Sequence, residues 1–470
     1  MSVAPRIPAW MPFADAASAG LPMGKLLRLS LFQVSVGMAT VLLMGTLNRV
    51  MIVELGIAAW LIALMAALPV LIAPFRAVLG FRSDTYKSAI GWKRVPYLWF
   101  GSLWQFGGLA IMPFALIVLS GDQTLGPDWA GHAGAALAFL MTGLGLHMTQ
   151  TAGLALATDL ADEETRPRVV AFLYVMLLVG MGASALVFGW LLADFNKIQL
   201  IRVIQGAAVA TLAFNLVALW KQEVVRPMSR DERAEPRPAF TDALEDLLRG
   251  GRAGRLLLAV FLGTMGFSMQ DILLEPYGGE ILGLTVSETT GLTALWALGA
   301  LVGFGLSARW MSRDVDPIRI AALGIVVGVF SFSAVIFAGP LQSGLLFGTG
   351  ATLIGLGGGL FAVSTLVTAM ALKTEGTGAG LALGLWGAAA ATATGVGVAS
   401  GGILRDAVTR LAETGLLGPA MSDPAVGYST VYHIEIGLLF ITLIALGPLT
   451  RRGRPTHDKA SKIGLAEFPA

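Results

Sequence analysis

The chain has 470 residues, of which 55% are hydrophobic and only 13% charged, and its mean hydropathy is +0.74. A soluble domain carries about 25% charged residues, and a single water-soluble core stops growing near about 250–300 residues, so an ordinary soluble enzyme is excluded and lipid is the expected solvent. Thirty-two Lys and Arg against 30 Asp and Glu leave a net charge of +2, too small for a nucleic-acid partner, and the lack of cysteine removes disulfides and thiolate chemistry.

Residues 1–28 hold Pro5, Pro8, Pro12 and Pro22 and no continuous apolar core, so they are expected to form an N-terminal tail and not a cleavable signal. From Leu29 the run LSLFQVSVGMATVLLMGTLN is long enough to cross a hydrocarbon layer about 30 Å thick. Further spans are expected near 57–80, 95–119, 132–158, 168–193 and 200–219. After a polar stretch come 255–274, 289–310, 318–338, 342–370, 378–404 and 430–449. Long uninterrupted apolar runs specify helices, because barrel strands alternate over about 10 residues. The fold class is therefore all-α integral membrane, with twelve transmembrane helices.

Residues 220–254 form the longest polar connection, with a Pro-rich centre and a capping-box-like pair, Asp242 and Glu245, that predicts a short surface helix before the seventh span. The linker separates an N-terminal six-helix bundle, 29–219, from a C-terminal one, 255–450, and a basic tail follows at 451–470. Six plus six around such a linker is the pseudo-symmetric layout of the major facilitator fold. All but five of the 32 Lys and Arg (the five being Arg49, Lys197, Arg202, Arg405 and Arg410) fall on the side of the termini, so both termini are expected in the cytoplasm.

The loop GFRSDTYKSAIGWKR carries Gly80, Asp84, Lys93 and Arg94 in an order that fits an inner-face latch between two helices. The connection ATDLADEETRPR, in the equivalent place of the next helix pair, adds Asp159 and Arg166, so opposite charges meet in a short loop. Arg49, Glu54, Arg76, Arg202, Asp271, Glu275, His433 and Glu435 all fall within a few turns of expected span ends, where they snorkel or pair. Asp271 and Glu435 are expected near the outer boundary, solvated by water. Buried coupling charges are thus not expected.

His147 alone falls near the middle of a span. At helical spacing it shares a face with Gly143, Gln150 and Thr151, and its side chain covers a glycine-rich turn. It is either an axial ligand to a metallated macrocycle or a histidine hydrogen-bonded to a neighbouring helix. The glycines at 355 and 357–359 and in the 380–402 stretch are read as close helix packing, or as a smooth groove for a flat ring. The other histidines, His132, His433 and His457, match no metal-ligand spacing. There is no phosphate loop, no H-E-x-x-H and no nucleophile elbow, so an enzyme is not expected.

The segments Leu27–Gly56, Ala73–Gly101, Gln105–Leu116, His147–Ala161 and Gly380–Asp406 resemble the bacteriochlorophyll-delivery (PucC/LhaA) family of the major facilitator superfamily, the light-harvesting assembly proteins of purple phototrophic bacteria. The resemblance implies a non-enzymatic assembly factor of the inner (cytoplasmic or intracytoplasmic) membrane that binds bacteriochlorophyll a, with carotenoid as a further candidate. It implies light-harvesting polypeptides as partners, and reaction-centre assembly intermediates and pigment-synthesis enzymes as further candidates. The competing expectation is a secondary transporter of a lipophilic or amphipathic solute.

Overall fold

The computed structural model describes residues 16–18, 20–71, 92, 94–119, 127, 129–162, 165–223, 251–311, 313–370 and 379–450. Helices account for nearly all of them. In chain order these are α1 (Met23–Glu54), α2 (Ala59–Leu71), α3 (Val95–Leu119), α4 (Trp129–Leu160), α5 (Arg166–Leu191) and α6 (Lys197–Leu219). Then follow α7 (Arg252–Glu280), α8 (Val286–Met311), α9 (Pro317–Ala338), α10 (Gly344–Met370), α11 (Ala379–Glu413) and α12 (Ala425–Leu446). Eleven of the described helices are long and apolar enough to cross a membrane, and the described part of α2 is a shorter apolar helix. The expected surface helix, most of the 220–254 linker, residues 1–15 and the 451–470 tail lie outside the described residues, and the N-terminal tail expected to reach residue 28 is already helical from Met23, where α1 begins ahead of its apolar run.

Two helix starts are capped by the side chain that precedes them. Asn196 accepts from the Gln199 amide at 2.8 Å to start α6, and Asp316 accepts from the Ile318 amide at 3.0 Å to start α9, which has Pro317 at its first position. Two helices are irregular. Backbone bonds in α1 widen to five-residue spacing at Leu42–Thr46 and Val50–Glu54. In α7 the chain tightens at Met269–Ile272 before a last helical stretch, Leu274–Glu280.

The packing repeats itself along the chain. Helix α1 lies against α5 and α6, α3 against α4 and α6, and α2 against α4. Six helices later, α7 lies against α11 and α12, α9 against α10 and α12, and α8 against α10. The two sets meet where α2 packs on α11 and α5 on α8. Absence of a side chain makes the first contact possible: a Cβ at Gly402 would stand 2.4 Å from the Ala63 Cβ and 2.8 Å from the Ala59 carbonyl. The end of the molecule that carries the start of α1 and the end of α12 is called the near end below, and the opposite end the far end.

Candidate functional site

The break in α7 sits where the two helix sets face each other. Beside it is a cavity of about 210 Å³, bounded by Leu178 of α5, Phe267 and Asp271 of α7, Trp296 and Phe304 of α8 and Phe361 of α10. Its walls are apolar and aromatic apart from a few polar groups, of which Asp271 is the one carboxylate. Gln270 organises the acids around it. The Gln270 side-chain amide donates to Asp271 Oδ1 at 2.6 Å, while its backbone N–H donates to Glu435 Oε1 on α12 at 2.7 Å. Glu435 is fully buried, and Glu275, 4% exposed, accepts from the Thr293 hydroxyl at 2.6 Å.

These positions correct the sequence reading. Glu435, expected solvated near the outer boundary, is enclosed where α7 packs on α12, Asp271, expected there too, lines the cavity, and Glu275, expected to snorkel or pair, is buried. None of Asp271, Glu275 and Glu435 makes an ion pair with a described residue. The membrane region therefore does hold buried carboxylates. The signal available in the sequence was Asp271 and Glu275 one helical turn apart, beside Pro276, in an otherwise apolar span.

The far end carries polar contacts within and between the helix sets, two of which, Asp406 to Trp60 and Arg49 to Leu284, cross from one set to the other. Asp406 of α11 accepts from the Trp60 backbone N–H at 2.8 Å, capping the start of α2. Arg405 pairs with Asp406 at 2.7 Å and with Glu280, and the Tyr428 hydroxyl donates to Glu280 at 2.8 Å. Its guanidinium also lies 4.6 Å from the Tyr428 ring centre. On the other flank Arg49 of α1 pairs with Glu54 and donates to the Leu284 carbonyl at 3.2 Å. The Asp271 cavity lies on the near side of these contacts.

At the near end, Arg94 Nε donates to Asp159 Oδ2 at 2.9 Å, joining the starts and ends of α3 and α4. Glu223, just past α6, accepts from the Arg94 and Val95 backbone N–H groups at 3.1 and 2.9 Å. Two of the expected latch residues thus meet each other. Gly80, Asp84 and Lys93 lie outside the described residues, as do Arg76 and the side chain of Arg166.

His147 sits half-buried in the middle of α4. Its carbonyl accepts from the Thr151 hydroxyl at 2.8 Å. Gly143 and Gln150, expected on its face, are turned into the protein. A Cβ on Gly143 would meet the Pro69 ring at 2.3 Å, so α2 fills that glycine patch, and the Gln150 amide lies 3.5 Å from Gln33 Oε1 of α1. The structure does not bring the three together around one opening.

Helices of this length, packed as two repeated sets, define a polytopic membrane protein with a major facilitator-like fold. A variant of the nucleoside transporter NupG superposes with a TM-score of 0.65 at 14% identity, over 91% of this chain and 100% of that one. A bacterial homologue of the lysosomal transporter Spinster, in an inward-facing and unoccupied conformation, gives 0.61 at 16% identity over 90% and 95%. The family model described as PUCC protein matches residues 46–454, and the chain belongs to that family. Among relatives, an uncharacterized protein of the puhA-bchM intergenic region of Rhodobacter capsulatus is 61% identical over 98% of this chain and 97% of its own. Protein PucC of Rhodovulum sulfidophilum is 54% identical over 85% and 89%, and the bacteriochlorophyll synthase 44.5 kDa chain of Rhodobacter capsulatus is 26% identical over 75% and 80%. The protein is a multi-pass protein of the bacterial inner membrane.

Proposed function

We propose that the protein is a non-enzymatic membrane carrier of a lipophilic or amphipathic solute that serves the photosynthetic apparatus. The observation that carries the reading is the aromatic cavity with Asp271 on its wall, walled by α7, α8 and α10 of the second helix set and reached by Leu178 of the first, on the near side of the far-end contacts. Its volume is below the about 300–1,000 Å³ of an ordinary ligand site, so in this conformation it would accept part of a large solute and not the whole. Twelve spans in two pseudo-symmetric six-helix bundles, 29–219 and 255–450, are part of the proposal. The repeated packing partners of α1–α6 and α7–α12 support it. Cytoplasmic termini follow from the Lys and Arg asymmetry.

The test is uptake by purified protein in lipid vesicles, using a fluorescent amphiphile panel of a lipophilic amine, a fatty acid and protoporphyrin. Accumulation above protein-free vesicles is expected for at least one probe. Asp271→Asn is expected to lower it about tenfold or more, the scale on which a polar group that fixes orientation acts in a site, with protein abundance unchanged. No accumulation of any probe would defeat the carrier reading.

A second reading is favoured by the relatives' names: an assembly factor that binds bacteriochlorophyll a, and carotenoid with it, and hands pigment to light-harvesting polypeptides. The resemblance to a bacteriochlorophyll synthase chain and to a protein encoded between puhA and bchM supports a pigment connection. Under it, His147 with Gln150 and Gly143 is the pigment site proposed from sequence, and reaction-centre intermediates and pigment-synthesis enzymes are further partners. Co-purified pigment without vesicle uptake would favour this reading over the first.

A further inference from the structure

We propose that His433, on the outward face of α12, is an axial-ligand site for a metallated tetrapyrrole; the inference rests on the pigment-binding reading and not on the transport one. His433 lies about 12 Å along the helix from Ala425, within a segment long and apolar enough to span the membrane, yet its side chain is exposed and not packed inside. His433 is the fourth residue of the span expected at 430–449, and an ionisable residue exposed on the outward side of a span is a functional candidate.

The ring is already set up as a ligand. His433 Nδ1 lies 2.7 Å from the carbonyl oxygen of Ser429, one turn earlier. A carbonyl only accepts, so Nδ1 carries the hydrogen and donates it, and the lone pair of the neutral ring is on Nε2. Nε2 makes no hydrogen bond with a described residue. Histidines that bind metals commonly donate their second nitrogen to a backbone carbonyl in this way, which holds the ring and raises its basicity.

The surface beside the ring suits a flat, apolar ligand. Gly437, one turn further on the same face, has open space where a side chain would stand, with no atom within 4 Å of its Cβ position. Phe440 and Ile444 continue the stripe and are 53% and 76% exposed. One nitrogen donor, a bare turn and two apolar side chains in line match a macrocycle with a central metal and a hydrocarbon substituent. His147, by contrast, has its adjoining glycine turn occupied by Pro69.

Zinc protoporphyrin IX is the probe, because its metal takes one axial nitrogen and ligation moves the Soret band to longer wavelength. Purified wild-type protein in mild detergent is expected to give the shifted band. His433→Leu is expected to lose it, with affinity for the zinc porphyrin falling about tenfold or more. Metal-free protoporphyrin binding, helical content and melting temperature should stay as in wild type, and added imidazole should restore the shift. His147→Leu should leave it in place. A shift that survives His433→Leu, or is lost in His147→Leu instead, or is absent from wild type, overturns the proposal. Protein purified from pigmented membranes separates the two levels. A bound-pigment band unchanged in His433→Leu refutes this site while the pigment reading stands; wild type with neither pigment nor probe ligation refutes both.

Discussion

Asp271, Glu275 and Glu435 each accept one hydrogen bond from the protein, and the worth of each follows from what is left behind when it goes. Glu435 takes the backbone N–H of Gln270 at a point where α7 has left regular helical bonding. Glu435→Ala strands that donor inside the protein, at a cost of about 1–3 kcal/mol, whereas Glu435→Gln keeps an acceptor there. The alanine variant is therefore expected to melt well below wild type in detergent and the glutamine variant near or above it. Equal melting temperatures for all three would show that the bond contributes nothing. Asp271 differs from Glu435 in having the cavity on one side, so its removal is expected to act on solute handling more than on stability.

Helix ends and helix irregularities set the next scale. The starts of α2 and α3 are each capped from elsewhere in the chain, α2 by Asp406 and α3 by Glu223. A lost carboxylate cap costs about 0.5–2 kcal/mol. Glu223→Ala is expected in that range, because both the Arg94 and Val95 amides lose their acceptor. Asp159→Asn should cost less than about 1 kcal/mol, since its side chain is half exposed and the pair with Arg94 is partly screened. Paired thermal melts check the order; a larger loss for Asp159→Asn would reverse the assignment of which acid holds α3. The widened turns of α1 and the tightened turn of α7 lie close together, and a Cβ at Gly45 would fall 2.3 Å from Glu275 Oε1. Neighbouring irregular turns of this kind leave backbone groups free to change partners, which regular helices do not allow.

At the scale of the molecule, two sets of helices are joined by α2 on α11 and α5 on α8, and any movement between the sets must open one of these seams. The natural absence of cysteine makes this testable. A Cβ at Gly189 of α5 would lie 3.7 Å from the Ser287 hydroxyl at α8, near the reach of a disulfide. The double variant Gly189→Cys, Ser287→Cys is expected to cross-link on mild oxidation and to stop vesicle uptake until reduced. Uptake that continues in fully cross-linked protein would show that the far end does not open.

Hydropathy was enough to locate eleven long apolar helices among the described residues, because lipid demands about 20 apolar residues per crossing whatever lies beside them. The expected spans at 95–119, 318–338 and 342–370 agree with α3, α9 and α10 to within two residues, while α1 and α11 run well beyond their apolar stretches. Local charge order named Arg94 and Asp159 separately as latch residues, and they meet because the start of α3 and the last turn of α4 lie at one end of adjacent helices. Burial was not legible in this way. Whether Glu435 meets water depends on α7 lying across it, and whether the turn below His147 is bare depends on Pro69, some 78 residues earlier in the chain. Hydropathy counts residues along one helix, but the neighbours that enclose a carboxylate, fill a glycine patch or leave His433 facing outward come from other helices, and only the tertiary packing decides which those are.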